Sequence, residues 1–301
     1  MIVLLGARGF LATHTRLALH GQNTALVSRY QPTSSPLMDS EKWIDYSDFE
    51  NEAGEEVLRN AKAVVYFLET AVEGPSQSSL GSEFDEVLSP LASFVERLAR
   101  IGSSARIVFL SSGATIYGNS PEGETCRELS PLRPVSPYGL GKMCSEEFLK
   151  SLSETIDLDF AILRVATTVG RFERSTTQGL VPAALRATLS GRPLQIYGDG
   201  TAVSDYVCAT DVGEAITAAA LSPGVLNDTW NVGSGIGRSV LEVLSLVEKV
   251  TGLPIPYEML PARPTDVDRV VLDTSQITSD LGWRPRQDID QAIEEMWLYE
   301  Y

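Results

Sequence analysis

The sequence predicts an α/β fold: a doubly wound parallel sheet over residues 1–170 and a smaller α/β lobe over residues 171–301. Three observations predict it. Short apolar runs alternate with amphipathic stretches through the first half, the first of those runs breaks into a glycine-rich turn, and the texture turns polar and irregular after Gly170.

In chain order, Ile2 to Leu5, Thr24 to Ser28, Ala63 to Leu68, Arg106 to Ser111 and Phe160 to Val165 read as buried strands, each short, apolar and closed by turn residues. Between them, Ala12 to Gly21, Phe84 to Ile101 and Tyr138 to Ser153 carry apolar side chains at three- and four-residue spacing, the period of a helix with one buried face. Beyond a polar loop at Glu173 to Gln178, a helix over Leu180 to Ser190 leads to a strand, Pro193 to Tyr197, that closes on Gly198, Asp199 and Gly200. A helix from Val212 to Leu221, a strand from Thr229 to Val232, a helix from Ser239 to Thr251 and a last short helix over Asp273 to Gly282 follow. A segment near 206–233 is expected to return to the large domain. No repeat or tether separates the two parts, so they are expected to pack together.

With 24 basic against 40 acidic side chains the formal charge is −16, which repels phosphate backbones and anionic membrane surfaces. Neither nucleic acid nor a membrane is expected as a partner. An anionic cofactor remains compatible, because local arginines and a helix N-terminus act within a Debye length of about 8 Å. Cys126, Cys144 and Cys208 are odd in number and far apart, and His14 and His20 are the available imidazoles. That supports neither a disulfide framework nor a zinc site, so no metal is expected. Met1 to Leu5 enters Gly6 without a basic region before it, and reads as the first strand of a cytoplasmic protein with no membrane span.

Gly6-Ala7-Arg8-Gly9-Phe10-Leu11-Ala12 follows a strand and opens a helix, the context of a Rossmann dinucleotide turn. Gly6 permits the tight turn, Gly9 lets the backbone approach a pyrophosphate, and Ala12 lets helix and strand pack closely. A plain glycine-rich strand-to-helix turn is the blander alternative. The second strand ends in Ser28-Arg29, where NAD enzymes carry a carboxylate for the adenosine ribose. Arg29, with Arg8 in the turn, favours a 2′-phosphate and hence NADP(H), with NAD(H) as the alternative.

Tyr138 and Lys142 lie four apart and so project from one helix face. An ammonium one turn from a phenol favours the phenolate and lowers a pKa that is ordinarily about 10, so the tyrosine can exchange a proton with a substrate oxygen as hydride moves. Such pairs also arise by chance on surface helices. This one follows a fourth strand ending in Ser111-Ser112, and that position is what distinguishes it from a chance match.

Further along come Leu110-Ser111-Ser112-Gly113-Ala114-Thr115-Ile116-Tyr117-Gly118 and Ser136-Pro137-Tyr138-Gly139. Leu194 to Gly200, Asp205-Tyr206, Asp211-Val212, Trp230 to Gly235 and Leu281-Gly282-Trp283 follow in order. Together with the turn and the YxxxK pair they resemble the NAD-dependent epimerase/dehydratase family, extended short-chain dehydrogenase/reductases acting on nucleotide sugars. The likeness is to UDP-glucose/UDP-galactose 4-epimerases and related nucleotide-sugar reductases, and it covers nearly the whole chain.

The resemblance implies an NAD(P)-dependent oxidoreductase or epimerase that moves hydride between nicotinamide and a sugar carbon, C4, with Tyr138 as acid/base. Lys142 then binds the nicotinamide ribose, Arg263 meets the nucleotide diphosphate, and Thr167 stands near the phosphates. Cofactor contacts are implied at Phe10, Leu11, Asp45, Tyr46 and Leu68, and a homodimer through Phe84 to Ile101 and Tyr138 to Ser153.

Four positions depart from the family pattern: Gly113 replaces a catalytic Ser or Thr, Thr167 an asparagine, Ser204 an arginine and Glu86 an active-site asparagine. Ser112 or Thr115 is then left to supply the hydroxyl. Epimerisation and net reduction both stay open, as does a non-catalytic dinucleotide-binding regulator or scaffold of the same fold. Cys144 reads as a small buried hydrophobe, and His14 and His20 as ordinary polar or half-buried side chains. Glu55/Glu56, Glu146/Glu147 and Glu294/Glu295 read as solvated helix faces. Trp297, Tyr299 and Tyr301 are expected to pack on the small lobe or in a subunit contact.

Overall fold

Seven strands build one parallel sheet in the computed structural model, which describes residues 1–31, 36–68, 84–153, 155–173 and 179–301. They are β1 (Ile2–Leu5), β2 (Thr24–Ser28), β3 (Glu41–Asp45), β4 (Ala63–Tyr66), β5 (Arg106–Ser112), β6 (Phe160–Val165) and β10 (Asp228–Val232). Their order is β10-β6-β5-β4-β1-β2-β3, with every neighbouring pair parallel. β2 and β4 flank β1 on opposite sides, so the winding reverses between β1 and β4, the place where such sheets bind ligands beyond their carboxyl ends.

Helices cover both faces, which is why β1, β2, β4, β5 and β6 are buried at every position. Alternate residues feed separate cores. Ile2, Leu4, Leu26, Val65 and Val108 pack on one face, and Val3, Leu5, Val27, Val64 and Ile107 on the other.

β3 and the helices Tyr46–Phe49 and Glu52–Arg59 escape a reading by apolar runs. β3 is an edge strand, Glu-Lys-Trp-Ile-Asp, half-exposed and mixed in polarity. Elsewhere the boundaries shift by one to three residues: β4 stops at Tyr66 rather than Leu68, β5 continues to Ser112, and α1 runs Phe10–Ala18. The stretch beginning at Phe84 opens as a π-helical turn, Phe84–Leu88, before the α-helix Ser89–Ile101.

The smaller lobe holds β7 (Thr167–Val169), β9 (Val203–Cys208), β11 (Gly237–Ser239) and β13 (Arg269–Val270) in one mixed sheet, and β8 (Leu194–Tyr197) paired with β12 (Tyr257–Leu260). From β9 the chain crosses back. The helix Ala209–Leu221 packs on α1, with Gly213 so close that a Cβ there would lie 2.8 Å from the His14 carbonyl, and β10 then joins the large sheet. The helix Ser275–Leu281 is not the last. Asp288 and Gln291 form a capping box that starts another, Ile289–Glu300, whose Ile289, Ala292, Ile293 and Met296 are buried. Among the described residues no helix is long and apolar enough to cross a membrane.

Two readings of side chains are corrected. Glu146 is not a solvated helix face: it is fully buried against Arg164, while Glu147 is exposed. His14 is 6 % exposed, with Nε2 2.9 Å from the Arg171 carbonyl and its ring edge-on to Phe10. Cys144 is half-buried, His20 exposed, and Tyr299 lies exposed beneath the Arg171 guanidinium.

Candidate active site

Gly6 adopts φ +97°, and a Cβ there would lie 3.0 Å from the Phe67 carbonyl at the end of β4, so the turn needs a glycine on both counts. Gly9 stands at the N-cap of α1, where no side chain caps the helix. The nearest atoms to a Cβ at Gly9 are the Gly6 oxygen at 3.7 Å and the Ala12 Cβ at 4.0 Å, which leaves open space above the helix N-terminus. A diphosphate fits such a cradle.

At the end of β2, Ser28 donates to the Tyr30 carbonyl at 2.7 Å and accepts from the Trp43 indole at 3.3 Å. The Arg8 guanidinium lies 5.3 Å from the centre of the Tyr30 ring, and Arg8, Arg29 and Tyr30 are exposed. The Asp45 carboxylate accepts from the Ser47 hydroxyl at 2.6 Å and its N–H at 2.9 Å, bonds that hold its pKa below the ordinary value. Burial raises the neighbouring Tyr46 phenol. Leu68 is half-buried against the core beneath β4.

The helix Pro137–Ser153 starts at the second residue of a Ser-Pro pair and presents Tyr138, Lys142 and Glu146 at four-residue steps. Lys142 is 1 % exposed, and its Nζ donates to the Leu110 carbonyl of β5 at 2.6 Å while lying 5.6 Å from the centre of the Tyr138 ring. One turn on, Glu146 accepts from Arg164 Nη2 at 2.6 Å and Nε at 3.0 Å. Arg164 also donates to Tyr117 Oη at 2.9 Å, and that hydroxyl donates to Asn231 at 2.7 Å. Burial holds the Tyr117 phenol well above its ordinary range. β5, β6 and β10 are thereby joined to the helix that carries the tyrosine and lysine.

Between the large sheet and the lobe lies a cavity of about 960 Å³. Thr115, Tyr138 and Thr167 line it together with Tyr197 to Ala202, Ser204, Arg263 and Asp266 to Asp268. Four of the residues named from the sequence, Tyr138, Thr115, Thr167 and Arg263, therefore meet in one space. Ser112 is not among the lining residues: it is buried at the N-cap of the short helix Gly113–Ile116 and makes no capping bond. Thr115 Oγ1 is buried without a hydrogen-bond partner. Glu86 is exposed on the π-helical turn.

Arg263 is the one cationic side chain among the described lining residues, and it is already engaged. Its Nε lies 3.1 and 3.0 Å from the two Asp266 oxygens, its Nη2 2.9 Å from one of them, and its guanidinium 4.0 Å from the centre of the Tyr197 ring. Asp199 accepts from the Thr201 hydroxyl at 2.6 Å, which lowers its pKa. Sequence reading misses Asp199, Asp266 and Asp268 as lining residues, since lone aspartates in loops carry no spacing signal. Among the described residues no group of three or more His, Cys, Asp or Glu is placed to hold a metal ion.

The sequence profile described as NAD dependent epimerase/dehydratase family matches residues 2–233. A UDP-glucose 4-epimerase of Cyamopsis tetragonoloba is 26 % identical over 99 % of this chain and 94 % of its own. Two solved structures, each 27 % identical, cover 99 % of this chain. The Thermus thermophilus UDP-glucose 4-epimerase in complex with NAD aligns over 98 % of its length with a TM-score of 0.83. The Bifidobacterium longum UDP-glucose 4-epimerase in complex with NAD+ and UDP aligns over 97 % with a TM-score of 0.85. A glycine-rich turn at the switch of a seven-stranded sheet, a Tyr138/Lys142 helix beside it and a profile match over most of the length lead to one assignment: this chain belongs to the NAD dependent epimerase/dehydratase family and is an enzyme of the extended short-chain dehydrogenase type.

Proposed function

We propose that this enzyme is a nucleotide-sugar 4-epimerase or 4-reductase working with NAD(P), and that Tyr138 is its acid/base. The observation that carries the reading is the shared cavity, lined by Tyr138, Thr115 and Arg263 together. Its volume of about 960 Å³ is at the upper end for ligand pockets and suits an extended, bipartite substrate. When bound, the dinucleotide supplies the hydride acceptor and donor. The open cradle at Gly6 and Gly9 fits its diphosphate.

Tyr138, as phenolate, takes the proton from the sugar hydroxyl as the carbon beneath it becomes a carbonyl, and returns that proton when the carbonyl is reduced. The buried Lys142 ammonium stands beside the ring and favours the phenolate. Thr115 directs a hydroxyl at the same oxygen. Arg263 recognises the diphosphate, exchanging its bonds to Asp266 for charge-assisted bonds to phosphate.

For the dinucleotide, the reading favours NADP(H). Ser28, the last residue of β2, carries no charge and is already bonded to Tyr30, and Arg8 and Arg29 offer exposed guanidiniums there; the nearest carboxylate along the sheet is that of Asp45, paired with Ser28 on β3 and engaged by Ser47. Solved relatives hold NAD, so the cofactor is the point to measure first. Dinucleotide released from the purified enzyme is to be identified by mass. Retained NAD supports an epimerase, and exchangeable NADP a reductase. With UDP-, GDP- and dTDP-linked sugars and their 4-keto forms as a panel, Tyr138→Phe is expected to lower kcat by about 10²- to 10⁴-fold. Full activity in that variant overturns Tyr138's role, and no turnover by the wild-type chain returns the reading to a non-catalytic dinucleotide sensor.

A further inference from the structure

At Gly113, where the family pattern has a hydroxyl side chain, the structure shows what fills the space instead. A Cβ on Gly113 would lie 2.7 and 3.2 Å from the two methyl groups of Leu272 and 3.0 Å from the Arg164 carbonyl oxygen. Carbon atoms pack at about 3.5–4.0 Å, so a side chain fits only if something moves. The carbonyl belongs to buried β6. Leu272 is buried, 1 % exposed, and its backbone is held: its N–H donates to Asp205 at 3.2 Å and it bridges Cys126. The adjoining chain is held by Cys126 N–H to the Val271 carbonyl at 2.7 Å and Asp273 N–H to the Cys126 carbonyl at 2.8 Å.

Two residues along, Thr115 lines the cavity that Tyr138 also lines, and its Oγ1 is buried without a hydrogen-bond partner. Buried polar atoms are nearly always bonded, so an unbonded hydroxyl in a residue lining the cavity is available to a substrate oxygen once a side-chain rotation brings it to the surface.

We propose that Leu272 is a positioning residue that, by filling the space over Gly113, excludes a side chain there and makes Thr115 the second hydrogen-bonding group beside Tyr138. This rests on the reading that a sugar hydroxyl is the reacting group. The hydroxyl has moved two positions along the chain, and the lobe segment around Leu272 enforces the move.

The steric half is read without activity, from thermal midpoints of Gly113→Ser, Leu272→Ala and the double variant. Gly113→Ser is expected to lower the midpoint, and the double variant to lie above the sum of the two single shifts. Additive shifts overturn the exclusion.

The chemical half is read from kcat and KM, with dinucleotide binding as the control for an intact fold. Thr115→Ser should keep wild-type kcat, whereas Thr115→Val should lose about 10²-fold in kcat with KM little changed. Adding Gly113→Ser to Thr115→Val should recover nothing, and adding Leu272→Ala to that pair should restore about tenfold, a hydrogen bond's worth of rate. Wild-type kcat in Thr115→Val overturns the assignment to Thr115. Recovery by Gly113→Ser without Leu272→Ala, or a folded triple variant with no recovery, overturns the role of Leu272. A wild-type chain that turns over no substrate while the midpoints are coupled sinks the reading of the reaction and the part given to Thr115, and keeps the packing role of Leu272.

Discussion

The large sheet and the small lobe hold their shapes by different means. In the sheet, β1, β2, β4, β5 and β6 are buried end to end, and alternate residues supply two separate cores. A one-residue slip would exchange those cores, so register is set many times over. The lobe's strands are two to six residues long, mixed in direction and partly exposed. Its geometry hangs on single polar groups. The buried Asp205 carboxylate accepts from Ser234 N–H at 2.8 Å, Ser234 hydroxyl at 2.7 Å, Gly235 N–H at 3.0 Å and Leu272 N–H at 3.2 Å, which ties β9 to two loops at once. Where hydrophobic packing is spread over many residues a single polar change is absorbed, and where one carboxylate gathers several donors it is not.

The largest test of that contrast falls where the sheet itself depends on one polar group. Glu146 and Arg164 are both within 3 % of full burial, and their pair joins the Tyr138 helix to β6. Glu146→Gln leaves a buried guanidinium short of its partner and should cost about 3–5 kcal/mol of unfolding free energy by denaturant titration. Replacing both residues by apolar ones should recover much of that loss. A cost of Glu146→Gln near zero would mean that hydrophobic packing holds the helix without the pair.

Asp205→Asn is the lobe's counterpart and should cost about 1–3 kcal/mol, because the amide turns an N–H toward donors that had a carboxylate oxygen. The expected signature is local. Amide hydrogen exchange should quicken in residues 203–208, 233–239 and 269–273 while β1 to β6 stay protected. Equal loss of protection throughout β1 to β6 would erase the distinction between the two parts.

Legibility in the sequence follows the same division. The strands β1, β2, β5 and β6 announce themselves as apolar runs because helices cover both faces, and the turn at Gly6 is marked because no other residue type suits that backbone. The half-exposed β3, and β9, β11 and β13 in the lobe, carry no such pattern. Tyr138, Thr115, Thr167 and Arg263 can be named from the sequence, but their meeting in one cavity is visible only in the fold. Asp266 cannot, since a carboxylate that pairs with an arginine three residues away looks like any surface aspartate until the fold wraps both around a cavity. Glu146 misleads for a related reason. Glu-Glu pairs on helices are usually solvated, and the arginine that draws Glu146 inward lies eighteen residues away on a strand.

The smallest expected effect concerns the seam where the two parts meet. His14 sits between α1, the end of β7 and the helix Ala209–Leu221, with Nε2 2.9 Å from the Arg171 carbonyl and Nδ1 3.4 Å from the Thr210 hydroxyl. Burial holds its pKa below the ordinary 6.5; the Arg171 charge pushes the same way and the Arg171 carbonyl opposes. The neutral ring is therefore the folded form. As pH falls through about 6.5 the unfolded chain takes up a proton that the folded chain refuses, so this contribution to stability is whole above that value and declines below it. The slope from one such group is at most about 1.4 kcal/mol per pH unit. Unfolding free energies at pH 7.5 and 5.5 should differ less in His14→Gln than in the wild-type chain, because glutamine keeps a donor for Arg171 and has no proton to gain. An unchanged difference would place the acid sensitivity elsewhere and leave the seam held by apolar contact, as the sheet is.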